Sequence, residues 1–127
     1  MAEILIVDDD DIIRETLDEL LSTHHNCQTA ETAEIALSKL ANERFDVLLT
    51  DITMPGLSGE ELLERVLRDY PQTPVIIISG LGDQEHAEGL LRLGAFDYLL
   101  KPFRLEAVEK SVERALNQRH SIQRILS

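Results

Sequence analysis

The chain has no apolar stretch approaching the roughly 18 residues that would cross a bilayer, and no basic segment leads into a long apolar run at its N-terminus. A membrane span and a secretory leader are therefore excluded, and a soluble, cytoplasmic protein is expected. A single cysteine, Cys27, rules out an internal disulfide and suits a reducing compartment, although a small strand residue describes it better. Basic residues are scarce: 12 Lys and Arg stand against 24 Asp and Glu, a formal net charge of −12. That surplus repels phosphate backbones and anionic lipids, so neither nucleic acid nor membrane is expected as a direct partner of this segment, whereas cation capture is favoured. Glu31, Glu34, Glu43, Glu60, Glu61 and Glu64 read as solvated helix faces. With 127 residues there is room for one core and none for a cap or output domain beside it.

What is present alternates. Ile4-Leu5-Ile6-Val7 is a β-branched apolar run, the pattern of a strand buried on both faces and hence of a parallel sheet; it stops at Asp8-Asp9-Asp10-Asp11. Ile12, Ile13, Thr16, Leu17, Leu20 and Leu21 then recur at helical spacing to about His24. Asn26 to Ala30 reads as a weak edge strand, and Ile35, Ala36, Leu40 and Ala41 mark a second helix. Phe45 to Thr50 is a third strand, halting at Asp51. A loop with Pro55, Gly56 and Gly59 leads into a helix with Leu62, Leu63, Val66, Leu67 and Tyr70 on one side. Val75-Ile76-Ile77-Ile78 is a strand stopped by Ser79-Gly80, and a helix from about Asp83 to Leu93 follows, with Ala87, Leu90 and Leu91 inward and Gly94 as its cap. Ala95 to Leu100 is a fifth strand ending at Lys101-Pro102, and the last helix starts near Leu105.

Five strand–helix repeats with short loops predict an α/β fold of three layers, a doubly wound five-stranded parallel sheet between five helices. Ligands in such sheets bind beyond the carboxyl ends of the strands. The polar residues gather there: Asp8 and Asp9 after the first strand, Asp51 after the third, Ser79 after the fourth and Lys101 after the fifth. Three carboxylates at one edge repel each other unless a cation neutralises them, which implies a divalent ion. All-oxygen ligands without histidine or thiolate, and without calcium-loop spacing, favour Mg²⁺. Asp51 can then attack a phosphoryl group whose charge is drawn off by the metal and Lys101, and Ser79 can donate a hydrogen bond to the product. Asp10 and Asp11 read as helix cap and first-turn acid, and His24, His25, His86 and His120 receive no role.

Ile4-Leu5-Ile6-Val7-Asp8-Asp9, Asp51-Ile52-Thr53-Met54-Pro55-Gly56, Ile78-Ser79-Gly80 and Tyr98-Leu99-Leu100-Lys101-Pro102-Phe103 together resemble the receiver domain of a bacterial two-component response regulator, over nearly the whole chain. The resemblance implies the flavodoxin-like strand order 2-1-3-4-5 and makes Asp51 the phosphoacceptor. It implies Asp9 and Asp51 as direct Mg²⁺ ligands with the Thr53 backbone carbonyl, Asp8 acting largely through water, and Lys101 paired with the phosphoryl group. By analogy the Lys101–Pro102 bond is cis. Ser79 and Tyr98 correspond to the switch residues, Gly80 leaving room for Tyr98 to swing inward, and the responding face comprises the fourth helix, fifth strand and fifth helix. A sensor histidine kinase or phosphotransfer protein is the implied partner, within a two-component system or phosphorelay. Leu81 and Thr53 flank the implied path of attacking water, and an apolar Leu81 cannot orient it, so Leu81→Glu or Leu81→Asn is expected to hasten loss of the phosphoryl group.

Leu105, Val108, Val112, Ala115, Arg119, Ile122 and Leu126 form a heptad-like seam interrupted by Arg119. Two readings stand for it. One assigns residues 1–118 to the receiver and 119–127 to an extension that dimerises or leads to an output domain; the other is an amphipathic tail packed on its own domain. Two other functions compete. A haloacid-dehalogenase-like aspartyl-phosphate hydrolase would use Asp8 as nucleophile and leave Asp51 unexplained. A phosphate-independent binding module would use the fold alone.

Overall fold

The computed structural model describes residues 1–80 and 82–126, with side chains to residue 118. Five strands, β1 (Glu3–Val7), β2 (Asn26–Ala30), β3 (Val47–Asp51), β4 (Val75–Ser79) and β5 (Asp97–Leu100), alternate with α1 (Asp11–Ser22), α2 (Ala33–Asn42), α3 (Gly59–Asp69), α4 (Gln84–Leu93) and α5 (Leu105–Leu126). All neighbouring strands are parallel, in the order β2-β1-β3-β4-β5. The predicted sandwich and its strand order are both present.

Why the strands read as unbroken apolar runs is visible in the packing. Successive strand residues point to opposite faces, and each face is covered by helices. Leu5, Val7, Leu48, Val75 and Ile77 pack with Ala36, Leu40, Leu62, Leu63, Val66, Ala87 and Leu90 of α2, α3 and α4. Ile4, Ile6, Val47, Leu49, Ile76 and Ile78 face Leu17 and Leu21 of α1 and Val108, Val112 and Ala115 of α5. Polar residues are thus driven to the strand ends.

Helix starts follow local chemistry. Asp10 caps α1, its carboxylate accepting from the amides of Ile12 and Ile13, while Ser58 and Glu61 form a reciprocal capping box at α3. Gly94 ends α4 at φ 141°, the region that favours glycine.

Several sequence expectations need correction. α1 ends at Ser22 rather than His24, β3 starts at Val47 rather than Phe45 and includes Asp51, α4 starts after Asp83, and β5 begins at Asp97 rather than Ala95. Ile12 and Ile35 sit outside the buried stripes, 76% and 43% exposed. In a short helix the strand layer covers only one arc, which Leu17 and Leu21 already fill in α1. The acids assigned to solvated faces are exposed or half-buried, as expected, and several of them also make surface contacts. Glu61 closes the α3 cap, Glu60 pairs with His86 at 2.9 Å, Glu34 accepts from the Leu57 amide and Glu43 accepts from Gln28.

α5 is helical to Leu126. Of the seam, Val108, Val112 and Ala115 are buried in the domain and Leu105 is largely exposed; the side chains of Arg119, Ile122 and Leu126 lie outside the described residues, as does Leu81. Among the described residues no helix is long and apolar enough to cross a membrane.

Candidate functional site

Strand register brings the site together. Val7 lies beside Thr50, Asp51 beside Ile78, and Ser79 beside Leu100, so the residues leaving β1, β3, β4 and β5 emerge along one carboxyl edge. Asp8 is fully buried and Asp51 nearly so, while Asp9 is exposed. One carboxylate oxygen from each of the three lies within 4.8 Å of the other two. Lys101 reaches over from the end of β5, its Nζ 3.5 Å from Asp51 Oδ2 and 3.6 Å from Asp8 Oδ2. Its amide donates to the Ser79 carbonyl at 2.7 Å, and its peptide bond to Pro102 is cis.

The electrostatics are those of an under-neutralised acid cluster. Burial pushes the Asp8 carboxyl up from 3.8 to about 6, with the neighbouring charges of Asp51 and Asp9 adding to the effect and the Asp10 amide and Lys101 opposing it. Burial also raises Asp51, against the opposing charge and hydrogen bond of Lys101 and a hydrogen bond from the Thr53 amide. Asp8 Oδ1 accepts from the Asp10 amide at 2.9 Å, yet Asp8 Oδ2 is buried with no hydrogen-bond partner among the described residues. A buried carboxylate oxygen left so is costly. One ammonium group cannot balance three carboxylates, and the oxygen without a hydrogen bond lies 3.6 Å from a Lys101 ammonium that it shares with Asp51. The donor set, three hard anionic oxygens with room on the exposed Asp9 side, therefore fits a small divalent cation.

The remaining predicted residues lie on β4, on β5 and in the loops that follow β3 and β4. Ser79 is fully buried at the end of β4, and among the described residues its hydroxyl makes one long 3.4 Å contact, to the Gly80 carbonyl. Tyr98 is half-buried on β5 against the core beneath α2, α3 and α4. A Cβ on Gly80 would meet nothing closer than Asp83 at 3.7 Å. Thr53 is exposed on the loop after β3.

Two neighbours of the site escaped the sequence reading. A Cβ on Gly59 would stand 2.1 Å from the Asp51 carbonyl oxygen and 2.8 Å from Ile52 Cα, so α3 begins directly under the end of β3 and only glycine fits. Arg14, on α1, donates from Nη1 to the Asp8 carbonyl at 2.8 Å and from Nη2 to Asp11. The one sequence signal for it is a basic residue three positions after Asp11, the spacing of a same-face helix pair.

Residues 4–113 match the family described as Response regulator receiver domain. Among curated proteins, the chain is 40% identical over 119 residues to the response regulator protein FleR of Pseudomonas aeruginosa, covering 92% of this chain and 25% of FleR. It is 41% identical over 113 residues to the DNA-binding transcriptional regulator NtrC of Salmonella typhimurium, covering 88% of this chain and 24% of NtrC. The chain thus spans about a quarter of the length of these relatives. Among solved structures, a response regulator receiver domain protein from Clostridium thermocellum superposes with a TM-score of 0.91 at 31% identity, covering 96% of this chain and 99% of that one. NtrX from Brucella abortus, crystallised with ADP, gives 0.94 at 34% identity, covering 98% of this chain and 29% of NtrX.

Proposed function

The chain belongs to the response regulator receiver family, and from that premise we propose that Asp51 accepts a phosphoryl group from a histidine kinase or phosphotransfer protein. The observation that carries the reading is the convergence of Asp8, Asp9 and Asp51 with the Lys101 ammonium 3.5 Å from Asp51. A carboxylate oxygen of Asp51 forms a bond to phosphorus while the bond from phosphorus to the donor's imidazole nitrogen breaks, its electron pair staying with the imidazole. Positioning and charge stabilisation do most of the work in such transfers. Lys101 faces the acceptor oxygen and offsets charge arriving there. Asp8, Asp9, Asp51 and the Thr53 carbonyl would hold Mg²⁺, which when bound supplies charge neutralisation for the incoming phosphoryl oxygens.

The donor must approach the carboxyl edge of the sheet. Exposed Ile12, with Ile13 and Phe103 beside Lys101, provides apolar surface next to that edge, which suits a docked protein better than a small solute. Signalling then rests on Ser79 and Tyr98. The weakly bonded Ser79 hydroxyl is free to turn toward the new phosphoryl group, and Tyr98 to move inward, biasing the face made by α4, β5 and α5. In this reading residues 1–118 are the receiver, and residues 119–127 are an extension that leads to a dimer contact or an output domain. Self-phosphorylation and self-dephosphorylation are the only chemistry in this reading. A hydrolase using Asp8 is inconsistent with membership of the family, and a phosphate-independent module leaves the acid cluster unused.

Incubation with acetyl phosphate and Mg²⁺, followed by intact-mass measurement, tests the assignment. A single phosphoryl adduct on the wild type, absent from Asp51→Asn, is expected. An adduct that survives in Asp51→Asn overturns it.

A further inference from the structure

The loop joining β1 to α1 carries two of the three acids, and it has to hold them together against their own repulsion. Asp8 is anchored on both sides of its backbone. Its amide donates to the Ala30 carbonyl of β2 at 3.2 Å, and its carbonyl accepts from Arg14 Nη1 at 2.8 Å. Arg14 is itself fixed. Its side chain is only 11% exposed, Nη2 is bonded to Asp11, and Glu31, just past the end of β2, lies 3.9 Å away. The helix has no need of this arrangement, because α1 is capped by Asp10 and buried through Leu17 and Leu21.

A planar guanidinium can serve a carbonyl and a carboxylate at once in fixed directions, which an ammonium cannot. Groups of this kind, one step removed from a metal, orient the ligands that touch it. We propose that Arg14 is a positioning residue for the acid site: by holding the Asp8 carbonyl it fixes the turn that presents Asp8 and Asp9 toward Asp51, and so sets the affinity of the site for a divalent cation. The inference rests on the metal reading given above and adds a determinant to it.

The sign of the effect separates positioning from charge. Arg14 is a cation beside an acidic cluster, so on electrostatic grounds alone its removal would strengthen Mg²⁺ binding. Loss of positioning weakens it.

Titration calorimetry with MgCl₂ on the wild type, Arg14→Ala and Arg14→Lys is the test, with urea unfolding confirming that each variant is folded. Arg14→Ala is expected to bind Mg²⁺ about 10-fold more weakly. Arg14→Lys is expected to fall between, weaker by about 3-fold, since an ammonium can still donate to the Asp8 carbonyl but lacks the fork that is held at the same time by Asp11. The Mg²⁺ concentration giving half-maximal phosphorylation by acetyl phosphate moves by the same factors, while the rate at saturating Mg²⁺ stays near the wild-type value. Arg14→Ala binding as tightly as the wild type, or more tightly, overturns the proposal. If Arg14→Ala does not fold, Arg14→Lys decides, and wild-type affinity in it overturns the proposal. A wild type that binds no Mg²⁺ overturns the metal reading, and this inference with it; a wild type that binds while the variants match it overturns only the role of Arg14.

Discussion

Replacing Asp8 with asparagine is expected to stabilise the metal-free protein at neutral pH, although it removes a residue central to the site. Asp8 is fully buried, one of its oxygens has no hydrogen-bond partner among the described residues, and its carboxyl is raised from 3.8 to about 6. The folded state therefore keeps a proton that the unfolded chain has already released between those values. Stability from this group is fully present below pH 3.8, is lost as the pH rises to about 6, and stays lost above it. A shift of about two pKa units corresponds to about 3 kcal/mol as a ceiling on the cost at pH 7.5. Asparagine removes the charge and keeps an oxygen for the Asp10 amide, but it leaves a buried NH₂ to be satisfied, which offsets about 1–2 kcal/mol. The net gain is about 1–2 kcal/mol, and with a urea m-value of about 1.5 kcal/mol/M it displaces the unfolding midpoint upward by about 1 M. Far-UV circular dichroism suits the measurement, because the chain has no tryptophan to report by fluorescence. The experiment is run in EDTA at pH 7.5 and repeated near pH 4.5, where the advantage shrinks because wild-type Asp8 is protonated in the folded state. Mg²⁺ in excess stabilises the wild type by mass action and Asp8→Asn less. A variant no more stable than the wild type at pH 7.5, or one whose advantage is undiminished at pH 4.5, refutes the reasoning.

The other predictions concern the neighbours of Asp51. Lys101→Ala removes the cation facing Asp51 and Asp8, so Mg²⁺ binding by calorimetry is expected to hold or tighten while phosphorylation by acetyl phosphate slows by at least about 10-fold. Gly59→Ala forces a methyl group against the Asp51 and Ile52 backbone; a loss of about 2 kcal/mol or more in urea unfolding is expected, and a neutral result would mean that β3 and α3 separate easily. If the last turns of α5 self-associate, the full chain is expected to show concentration-dependent sedimentation that is lost when the chain stops after Asn117, with acetyl-phosphate labelling retained; a full chain that sediments independently of concentration counts against it.

Much of this molecule is written locally. The continuous apolar runs of β1, β3 and β4 announce strands covered on both faces, because alternate residues must each find a helix. Strand–helix alternation with short loops leaves few topologies, and the acids and lysine at the run ends gather at the edge where sheets of this kind take ligands. Caps such as Asp10, and the helical periods around Leu17 and Leu62, depend on neighbours within a few residues, so they are legible without the fold.

The tertiary structure alone decided the rest. Ile12 and Ile35 belong by periodicity to apolar stripes, and only the position of the sheet relative to each helix leaves them exposed. Asp8 and Asp51 are 43 positions apart in sequence, and Lys101 lies 50 beyond Asp51; their distances follow from how the strands pair in register. From that register come the raised carboxyls and the shared Lys101 ammonium, whereas the demand for glycine at 59 and the grip of Arg14 on the Asp8 carbonyl arise in the folded loops that leave β3 and β1. The amino-acid sequence determines which groups reach the site. Burial and proximity, which exist only once distant strands are side by side, determine how strongly those groups act on one another.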